Sequence, residues 1–306
     1  MILADISKKA AKIDEIIENY LPAEEGLAAT VMTAMNYSIH AGGKRLRPML
    51  MMEAYGMFGG KYPKEELYPF MAAIEMIHTY SLCHDDLPAM DNDDLRRGIP
   101  STHAKFGEAM GILAGDGLLN YAFETALKAF DGISGNDADD MIRMKRTVRA
   151  LSILADKAGI YGMIAGQVAD IEAENDPSCA NMDTVRFIHE NKTAAMIESS
   201  LMIGAALAGA GEEDISKMEQ IGSDVGLAFQ IRDDILDVTG DEKTLGKPVG
   251  SDAQNGKTTY VSLTGLDKAR EDVSSISEHA LQLLSTIPKD SNFLAELIRY
   301  LVYREN

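Results

Sequence analysis

Two clusters of aspartates at regular spacing could hold a hard metal ion. The first lies in HDDLPAMDNDDLRRG, residues 84–98, and the second in FQIRDDILD, residues 229–237. The first cluster contains five carboxylates, Asp85, Asp86, Asp91, Asp93 and Asp94, and the second contains Asp233, Asp234 and Asp237. Carboxylates without accompanying histidine or thiolate select a hard cation, and magnesium typically uses a few carboxylates while substrate phosphates complete its shell. The pattern therefore predicts a magnesium site for a phosphorylated substrate, although either cluster alone would also suit a solvated helix end.

The first cluster continues the apolar face of a predicted helix. The steps from Ile74 to His78, Ser81 and Asp85 are four, three and four residues, so the Asp85 side chain leaves the helix on its core-facing side. A buried carboxylate without a partner is costly and tends to become protonated. A bound cation is the expected partner of Asp85.

Pro88 interrupts this helix between two candidate ligands. Asp85 and Asp91 are six residues apart and would diverge by about 120° on an ideal helix. Because proline disfavours helical backbone at the preceding residue, Leu87, we expect a bend that returns Asp91 toward Asp85.

The second cluster forms one polar helical face. Its members follow at i, i+3, i+4 and i+7 and are Gln230, Asp233, Asp234 and Asp237. Gly222 and Gly226 lie earlier on nearly the same face and would leave room beside the helix. Like charges at this spacing destabilise an isolated helix, and a metal would remove the penalty. We expect the two clusters to face each other across one cavity.

Small basic groups could bind the phosphate that the metal would hold. They are Lys44, Arg45 and Arg47 in GGKRLRP, Arg96 and Arg97 after the first cluster, Lys192 beside Thr193 in HENKTAAM, and Lys247 and Lys257 in a glycine-rich loop. Arginine pairs its N–H groups with phosphate oxygens, and lysine acts as a point charge. Any one of these residues could equally be ordinary surface charge. His78 could contact a phosphate or simply pack in the core, and no spacing supports a Ser-His-Asp or Cys-His nucleophile.

Composition narrows the class of protein. With 306 residues, 46% hydrophobic content and a net charge of −19, the chain suits a globular protein that does not bind nucleic acid. Two cysteines, 18 methionines and no tryptophan are typical of a reduced intracellular core. The first 21 residues predict an amphipathic helix rather than a signal peptide, and the longest apolar run, residues 201–211, is well short of the ~20 residues that span a bilayer. We expect a cytoplasmic protein without membrane insertion.

Helical periodicity dominates the chain, so we predict an all-α protein that forms a single domain over residues 1–306. The predicted helices cover 5–20, 27–40, 45–58, 64–87, 107–129, 138–155, 160–172, 183–210, 212–238 and 267–287. The long glycine- and lysine-containing segment 238–260 departs from this pattern, and a loop of that length is commonly functional. It could close over a substrate.

Taken in order, these motifs resemble the trans-polyprenyl diphosphate synthases, and most closely the bacterial farnesyl diphosphate synthases. The matching segments are GGKRLRP, MIHTYSLCHDDLPAMDNDDLRRG, NKTA, FQIRDDILD, GKPVGSD and GKTTY, which extend from residue 42 to residue 260. The resemblance implies an isoprenoid-synthase helical bundle around a central cavity, usually a homodimer. It also implies a prenyltransferase that joins isopentenyl diphosphate to an allylic diphosphate such as dimethylallyl or geranyl diphosphate.

The resemblance further implies a role for each matching residue. The two Asp-rich motifs, Asp85, Asp86 and Asp91 with Asp233, Asp234 and Asp237, would hold three Mg2+ ions on the allylic diphosphate. That diphosphate or its metals would also contact Arg96, Lys192, Thr193, Gln230, Lys247 and Lys257, of which Lys192, Thr193 and Gln230 would act in catalysis. Isopentenyl diphosphate would bind Lys44, Arg47, His78 and Arg97.

Product length is expected to depend on Tyr80 and Ser81. In the family an aromatic residue a few positions before the first motif accompanies a short cavity, and Tyr80 precedes Asp85 by five residues, or ~7.5 Å of helix. We predict a fifteen-carbon product, farnesyl diphosphate. The small Ser81 leaves a twenty-carbon product, geranylgeranyl diphosphate, open, because Tyr80 could simply pack in the core.

One residue departs from the family pattern, and two other functions compete. Relatives commonly have RRGKP where this chain has RRGIP, so Ile99 could weaken the binding of one diphosphate. A terpene cyclase would share the fold, but it has no second diphosphate for Lys44, Arg47 and His78 to hold. A non-catalytic partner subunit would not need intact Asp motifs.

Overall fold

The computed structural model describes residues 2–61, 66–179, 181–240 and 257–303, apart from the side chains of Pro177 and Tyr303. Helices make up 77% of this part of the chain. In order, they are α1 (Ile2–Glu18), α2 (Ala29–His40), α3 (Leu46–Met57), α4 (Leu67–Asp85), α5 (Thr102–Phe106), α6 (Glu108–Leu127), α7 (Ala138–Ala158), α8 (Met163–Asn175), α9 (Met182–Ile188), α10 (Ala195–Ala208), α11 (Glu212–Thr239), α12 (Tyr260–Thr264), α13 (Leu266–Ser285) and α14 (Asn292–Tyr303). Short 3-10 turns occupy Lys128–Phe130 and Pro177–Cys179.

A small hairpin follows the first Asp-rich motif. Strands β1 (Leu95–Arg96) and β2 (Ile99–Pro100) pair antiparallel, with Arg96 opposite Ile99. The two-residue connection has positive φ at both Arg97 (54°) and Gly98 (81°), as tight hairpin turns of type I′ require. The hairpin returns Arg96 toward the end of α4.

The chain divides into two compact units, one comprising Leu3–Met52 with Lys61–Leu151, the other Glu53–Gly60 with Ser152–Asn306. In the first unit, α4 packs along α6. Most apolar residues of α4 are buried, and Phe70, Met71, Ile74, Met76 and Ile77 are fully so. Burial on this scale explains why α4 is hydrophobic on nearly every face.

In the second unit, the 28-residue helix α11 packs against α10, α13 and α14. Its inward residues Leu227, Ile231 and Ile235 join a hydrophobic cluster with Val185, Tyr260, Val261, Val273 and Val302. The second Asp-rich motif lies on the same helix, so the packing of these apolar residues sets the orientation of the motif.

The helical prediction differs from the structure in two regions. The predicted helix 183–210 is helical from Met182 to Ala208, but a π-helical turn from His189 to Ala194 separates α9 from α10. The C-terminal helix α14 was not predicted, although Leu294, Leu297, Ile298 and Leu301 repeat at helical spacing and are buried. Of the predicted loop 238–260, residues 241–256 lie outside the described residues.

Candidate active site

The first Asp-rich motif lies where α4 ends. Asp85 is the last helical residue, and both Asp85 and Asp86 are buried, at 8% and 2% exposure. Past Pro88 the chain turns back, and the Asp91 N–H donates to the Asp85 carbonyl oxygen over 2.9 Å. The predicted bend is thus confirmed for the backbone. The Asp91 side chain is exposed.

Arg96 neutralises the more deeply buried carboxylate of this motif. Its Nε donates to Asp86 Oδ1 at 2.9 Å, and its Nη2 contacts the same oxygen. Burial raises the pKa of Asp86 above the ordinary value, while the Arg96 guanidinium acts in the opposite direction. Arg96, expected on the allylic diphosphate, is therefore paired with a candidate metal ligand. Ile99, paired with Arg96 across the hairpin, is half-buried.

Three basic side chains lie close together in the first unit. The Arg47 side chain places a buried Nε in this group, and that nitrogen has no hydrogen-bond partner among the described residues. The Arg97 guanidinium lies against Gly43, where an added Cβ would be 2.9 Å from Nη1. Burial and the charges of Arg47 and Arg97 hold the pKa of the half-buried His78 well below its usual value. We call Arg47, His78 and Arg97 the basic pocket; it could bind an anion, and Lys44 is exposed beside it in sequence.

Arg45, which the sequence grouped with Arg47, serves the fold instead. Its guanidinium donates to Glu75 Oε1 (2.8 Å), Asp14 Oδ1 (2.7 Å) and the Ile39 carbonyl oxygen (2.8 Å). Arg45 is only 5% exposed. These contacts occupy its donors and tie the loop before α3 to neighbouring elements.

The π-helical turn from His189 to Ala194 presents Lys192 and Thr193. Such turns are rare and occur frequently at functional sites. Gly166 permits a close approach of α8, because an added Cβ would be 2.1 Å from the Lys192 backbone nitrogen. On the other side, a Cβ on Gly226 would be 2.3 Å from the Ala194 Cβ. Gly226 therefore does leave room beside α11, as the sequence predicts, and the neighbouring turn fills that room.

Asp170 links two of the predicted diphosphate ligands. Its Oδ2 accepts from Lys192 Nζ at 2.7 Å and from Lys257 Nζ at 3.2 Å, and Lys257 also contacts Glu174 at 3.3 Å. Asp170 is 4% exposed. Although its burial opposes ionisation, the two lysines lower the pKa of Asp170 below the usual value. The same contacts raise the pKa of Lys257, so its ammonium group stays charged beside this carboxylate.

The second Asp-rich motif combines carboxylates in different environments. Asp234 accepts the Tyr260 backbone N–H at 2.8 Å and lies 3.8 Å from His189 Nε2. Asp237 is buried at 3% exposure, and Asp233 is half-buried. Burial lowers the pKa of His189 to about 4, so the ring is neutral at physiological pH. Gln230 and Thr193 are half-buried.

The residues expected to limit product length lie one turn and more before Asp85. Tyr80 is 6% exposed, and burial together with the Asp85 charge raises its pKa to about 12. The half-buried Ser81 donates its hydroxyl to the His78 carbonyl oxygen over 2.9 Å. Lys247 lies outside the described residues.

Sequence inspection missed Asp170 and Glu75. Both are buried acidic residues within predicted helices. Asp170 follows Val168 and Ala169 and precedes Ile171, and this acid between apolar residues was the available signal. Among the described residues, no three or more His, Cys, Asp or Glu side chains are grouped so that they would hold a metal ion by themselves. Nor does any described helix have the length and apolarity needed to cross a membrane.

The helical fold and these motifs define a class of protein. The family model for polyprenyl synthetase matches residues 28–298, and the chain belongs to that family. It is 42% identical over 301 residues to the farnesyl diphosphate synthase of Geobacillus stearothermophilus, covering 98% of this chain and 97% of the relative. It is also 42% identical over 299 residues to the chloroplastic geranylgeranyl pyrophosphate synthase of Catharanthus roseus, covering 97% and 80%.

A solved structure extends the comparison to three dimensions. The Helicobacter pylori geranyltransferase complexed with magnesium and isoprenyl diphosphate superposes with a TM-score of 0.80 at 32% identity, covering 98% of this chain and 96% of that one. The protein is therefore a prenyltransferase enzyme of the farnesyl or geranylgeranyl diphosphate synthase type, with the all-α isoprenoid-synthase fold. These findings confirm the resemblance found in the sequence. The relatives divide between two product lengths.

Proposed function

We propose that this protein is a farnesyl diphosphate synthase, which condenses isopentenyl diphosphate with dimethylallyl and then geranyl diphosphate to a fifteen-carbon product. The observation that carries the chain length is Tyr80, a buried aromatic ring five residues before Asp85. An aromatic side chain there would end the space available to the growing chain below the diphosphate. The sequence similarity to the Geobacillus farnesyl diphosphate synthase supports the same product.

The basic pocket supports chain elongation over cyclisation. An elongating enzyme holds two diphosphates, and the buried Arg47 Nε, which has no partner among the described residues, suits a second anion close to His78 and Arg97. We assign isopentenyl diphosphate to this pocket, with Lys44 contributing from the exposed loop. A cyclase would have no use for the pocket, since its single substrate carries one diphosphate.

The Asp-rich motifs suit magnesium, because both contribute oxygen ligands and neither contains a thiolate or a histidine between its aspartates. We propose that Asp85, Asp86, Asp91, Asp233, Asp234 and Asp237 hold magnesium on the allylic diphosphate, with three ions expected from the family resemblance. Bound magnesium would neutralise the diphosphate charge and make it a better leaving group. The crystal of the Helicobacter relative contained magnesium, which supports this choice of ion.

The basic and polar residues of both units complete the proposed mechanism. Arg96, Lys192, Lys247 and Lys257 would bind the allylic diphosphate more tightly as it departs, which lowers the barrier to ionisation. Oxygen atoms at Thr193 and Gln230, with the π-helical turn that presents Lys192, would stabilise the allylic cation electrostatically. The double bond of isopentenyl diphosphate then attacks this cation. The departed diphosphate would accept the final proton, so no protein base is required.

We further propose a homodimer in the cytoplasm. The family resemblance supports a homodimer, for which light scattering of the purified protein is the direct measurement. The free cysteines Cys83 and Cys179 suit a reducing compartment and support a cytoplasmic enzyme. A single domain over residues 1–306 also stays a prediction, which cooperative unfolding in one transition would support.

One experiment tests the reaction and the product together. Purified protein is incubated with isopentenyl diphosphate plus dimethylallyl or geranyl diphosphate, with and without magnesium, and the products are sized by mass spectrometry. We expect magnesium-dependent accumulation of the fifteen-carbon diphosphate. A twenty-carbon product would keep the chemistry and favour the geranylgeranyl assignment, which the Catharanthus relative and the small Ser81 support. Absence of any prenyl diphosphate would contradict both.

A further inference from the structure

The His84 ring packs closely against Gly115 on the neighbouring helix, α6, of the first unit. An added Cβ at Gly115 of α6 would be 2.1 Å from His84 Nε2 and 2.3 Å from Cδ2, so the imidazole occupies the space that any other residue would fill. Its Nε2 lies 3.1 Å from the Ile112 carbonyl oxygen and 3.7 Å from Asp116 Oδ1. A glycine at 115 and a hydrogen bond to Ile112 thus hold the ring in one position.

The His84 ring also contacts the Tyr80 ring. The Tyr80 and His84 rings are one helical turn apart on α4 and meet edge to face, with centroids 5.8 Å apart and planes at 80°. Edge-to-face pairs at this distance are attractive beyond the apolar area that they bury. Because α6 prevents movement of His84, the His84 ring restricts movement of Tyr80.

We propose that His84 is a positioning residue for product length, acting through Tyr80 and held by Gly115. The inference rests on the proposed function, in which Tyr80 ends the space for the growing chain. The aromatic ring at position 80 is then necessary for a fifteen-carbon limit, and the His84–Gly115 contact keeps that ring in place. Neither His84 nor Gly115 touches the reacting atoms in this scheme.

The test compares product ratios rather than rates. His84→Ala removes the ring that packs against Tyr80, and Gly115→Ala displaces the imidazole from its position against α6. For each variant we expect the ratio of twenty-carbon to fifteen-carbon product to rise roughly 2- to 10-fold, the factor that corresponds to losing one ring pair. Two variants are used because His84 adjoins Asp85 and its replacement could also lower the rate.

Gly117→Ala is the matched control. It introduces the same methyl group on the same helix, but the added Cβ meets the Met35 sulfur at 2.8 Å and not His84. We expect its product ratio to equal that of the unmodified protein. A rise as large as that of Gly115→Ala would overturn the inference, because crowding of α6 in general would then be the cause.

A double variant separates action through Tyr80 from an independent effect. If His84 only positions Tyr80, then Tyr80→Ala and the double variant Tyr80→Ala/His84→Ala should give the same product distribution. A further lengthening in the double variant would overturn the inference, as would unchanged ratios in both His84→Ala and Gly115→Ala. The unmodified protein separates failure of this inference from failure of the proposed function. If the unmodified protein forms no prenyl diphosphate, the proposed function itself is contradicted.

Discussion

Single carboxylates in the two Asp-rich motifs occupy unlike environments despite their similar spacing. Asp86 is paired with Arg96, Asp234 accepts a backbone N–H, and the Asp91 side chain is exposed. Asp85 is buried at the end of α4, and a cation was predicted from the sequence as its partner. At this scale Asp86 and Asp234 have different partners, and mutation can test each carboxylate.

We expect Asp85→Ala and Asp233→Ala each to lower kcat/KM by at least roughly 100-fold. Removing one group that stabilises transition-state charge typically costs 10²- to 10³-fold. Steady-state kinetics with saturating magnesium measure the loss. Asp94→Ala is the control, because the Asp94 side chain is 88% exposed in the same segment and belongs to neither predicted ligand set. Near-normal turnover in Asp85→Ala would contradict its role as a metal ligand.

Tyr80→Ala should lengthen the product toward twenty carbons, since it removes the buried ring that we place at the end of the chain pocket. Product sizing by mass spectrometry measures the change. Ser81→Ala serves as a neighbouring control, because it removes only a hydroxyl that is bonded to the His78 carbonyl oxygen. Unchanged product length in Tyr80→Ala would exclude Tyr80 from the pocket end.

Asp170→Asn should lower the free energy of unfolding by about 1–2 kcal/mol. Loss of one partner in a fully buried ion pair costs about 3–5 kcal/mol, and the lysines here, 25% and 37% exposed, reduce that figure through solvent screening. Urea unfolding gives the value. Inorganic diphosphate should stabilise the variant more than the unmodified protein, since the anion can neutralise both Lys192 and Lys257.

Glu174→Gln supplies the comparison for this effect. Glu174 contacts only Lys257 of the two lysines, and its side chain is 39% exposed. We expect a smaller loss of stability than in Asp170→Asn. Equal losses would show that Asp170 has no special role in holding the two ammonium groups together.

The pKa of His78 predicts a loss of stability in acid. Its folded-state pKa lies well below the usual 6.5, so below pH 6.5 the unfolded chain takes up a proton that the folded protein does not. The free energy of unfolding contributed by this residue therefore falls as the pH is lowered from about 6.5. Urea unfolding of the protein and of His78→Gln at pH 7.5 and 5.5 tests this; a variant with the same acid sensitivity would contradict it.

At the scale of elements, glycines determine how closely the helices of each unit approach. Gly166 and Gly226 allow α8 and α11 to pack against the π-helical turn, and Gly222 does the same for α11 against Glu198 of α10. The turn that presents Lys192 is thereby enclosed by two helices. The π-helical geometry follows from this packing and not from a local helix-breaking residue, since the turn contains neither glycine nor proline.

Gly166→Ala should therefore destabilise the protein by roughly 1–3 kcal/mol, the usual cost of overpacking a close contact. The higher helix propensity of alanine, worth about 1 kcal/mol, opposes the effect. The cost of overpacking should exceed the gain in helix propensity, because the methyl group would be 2.1 Å from the Lys192 backbone nitrogen, which cannot rotate away. The control is Gly211→Ala, where nothing lies within 4 Å of the added Cβ. Equal stability of both variants, measured by urea unfolding, would contradict the prediction.

At the scale of the whole molecule, the proposed site depends on metal and substrate together. The net charge of −19 and the carboxylates of the two motifs attract cations, whereas the arginines and lysines around them attract anions. Magnesium with few protein carboxylates typically completes its shell with phosphate oxygens. Each ligand should thus strengthen the binding of the other.

We expect magnesium and inorganic diphosphate together to raise the Tm by more than the sum of their separate effects, because ligands that bind only the folded state stabilise it by mass action. Differential scanning fluorimetry with magnesium, diphosphate, both or neither measures the shifts. Asp85→Ala should abolish the excess while retaining the small effect of diphosphate alone. Strictly additive shifts would contradict cooperative binding.

The sequence by itself determined the all-α class, most helix positions, and the residue types of the candidate site. Local periodicity was sufficient for this because α4 and α11 carry their apolar residues at helical spacing, and because the Asp-rich and basic motifs are continuous in the chain. The bend after Pro88 was also predictable, since proline acts on its immediate neighbour.

Tertiary structure decided which polar residues serve the fold and which remain for a ligand. Arg45 and Arg47 are two residues apart in one motif, yet Arg45 donates to Asp14, Glu75 and the Ile39 carbonyl oxygen, while Arg47 retains a buried Nε without a described partner. Asp170 gained its role only when folding brought Lys192 and Lys257 to one carboxylate. Such pairings join residues that are from 22 to 87 positions apart, and spacing along a single helix carries no information about contacts made through packing at that distance.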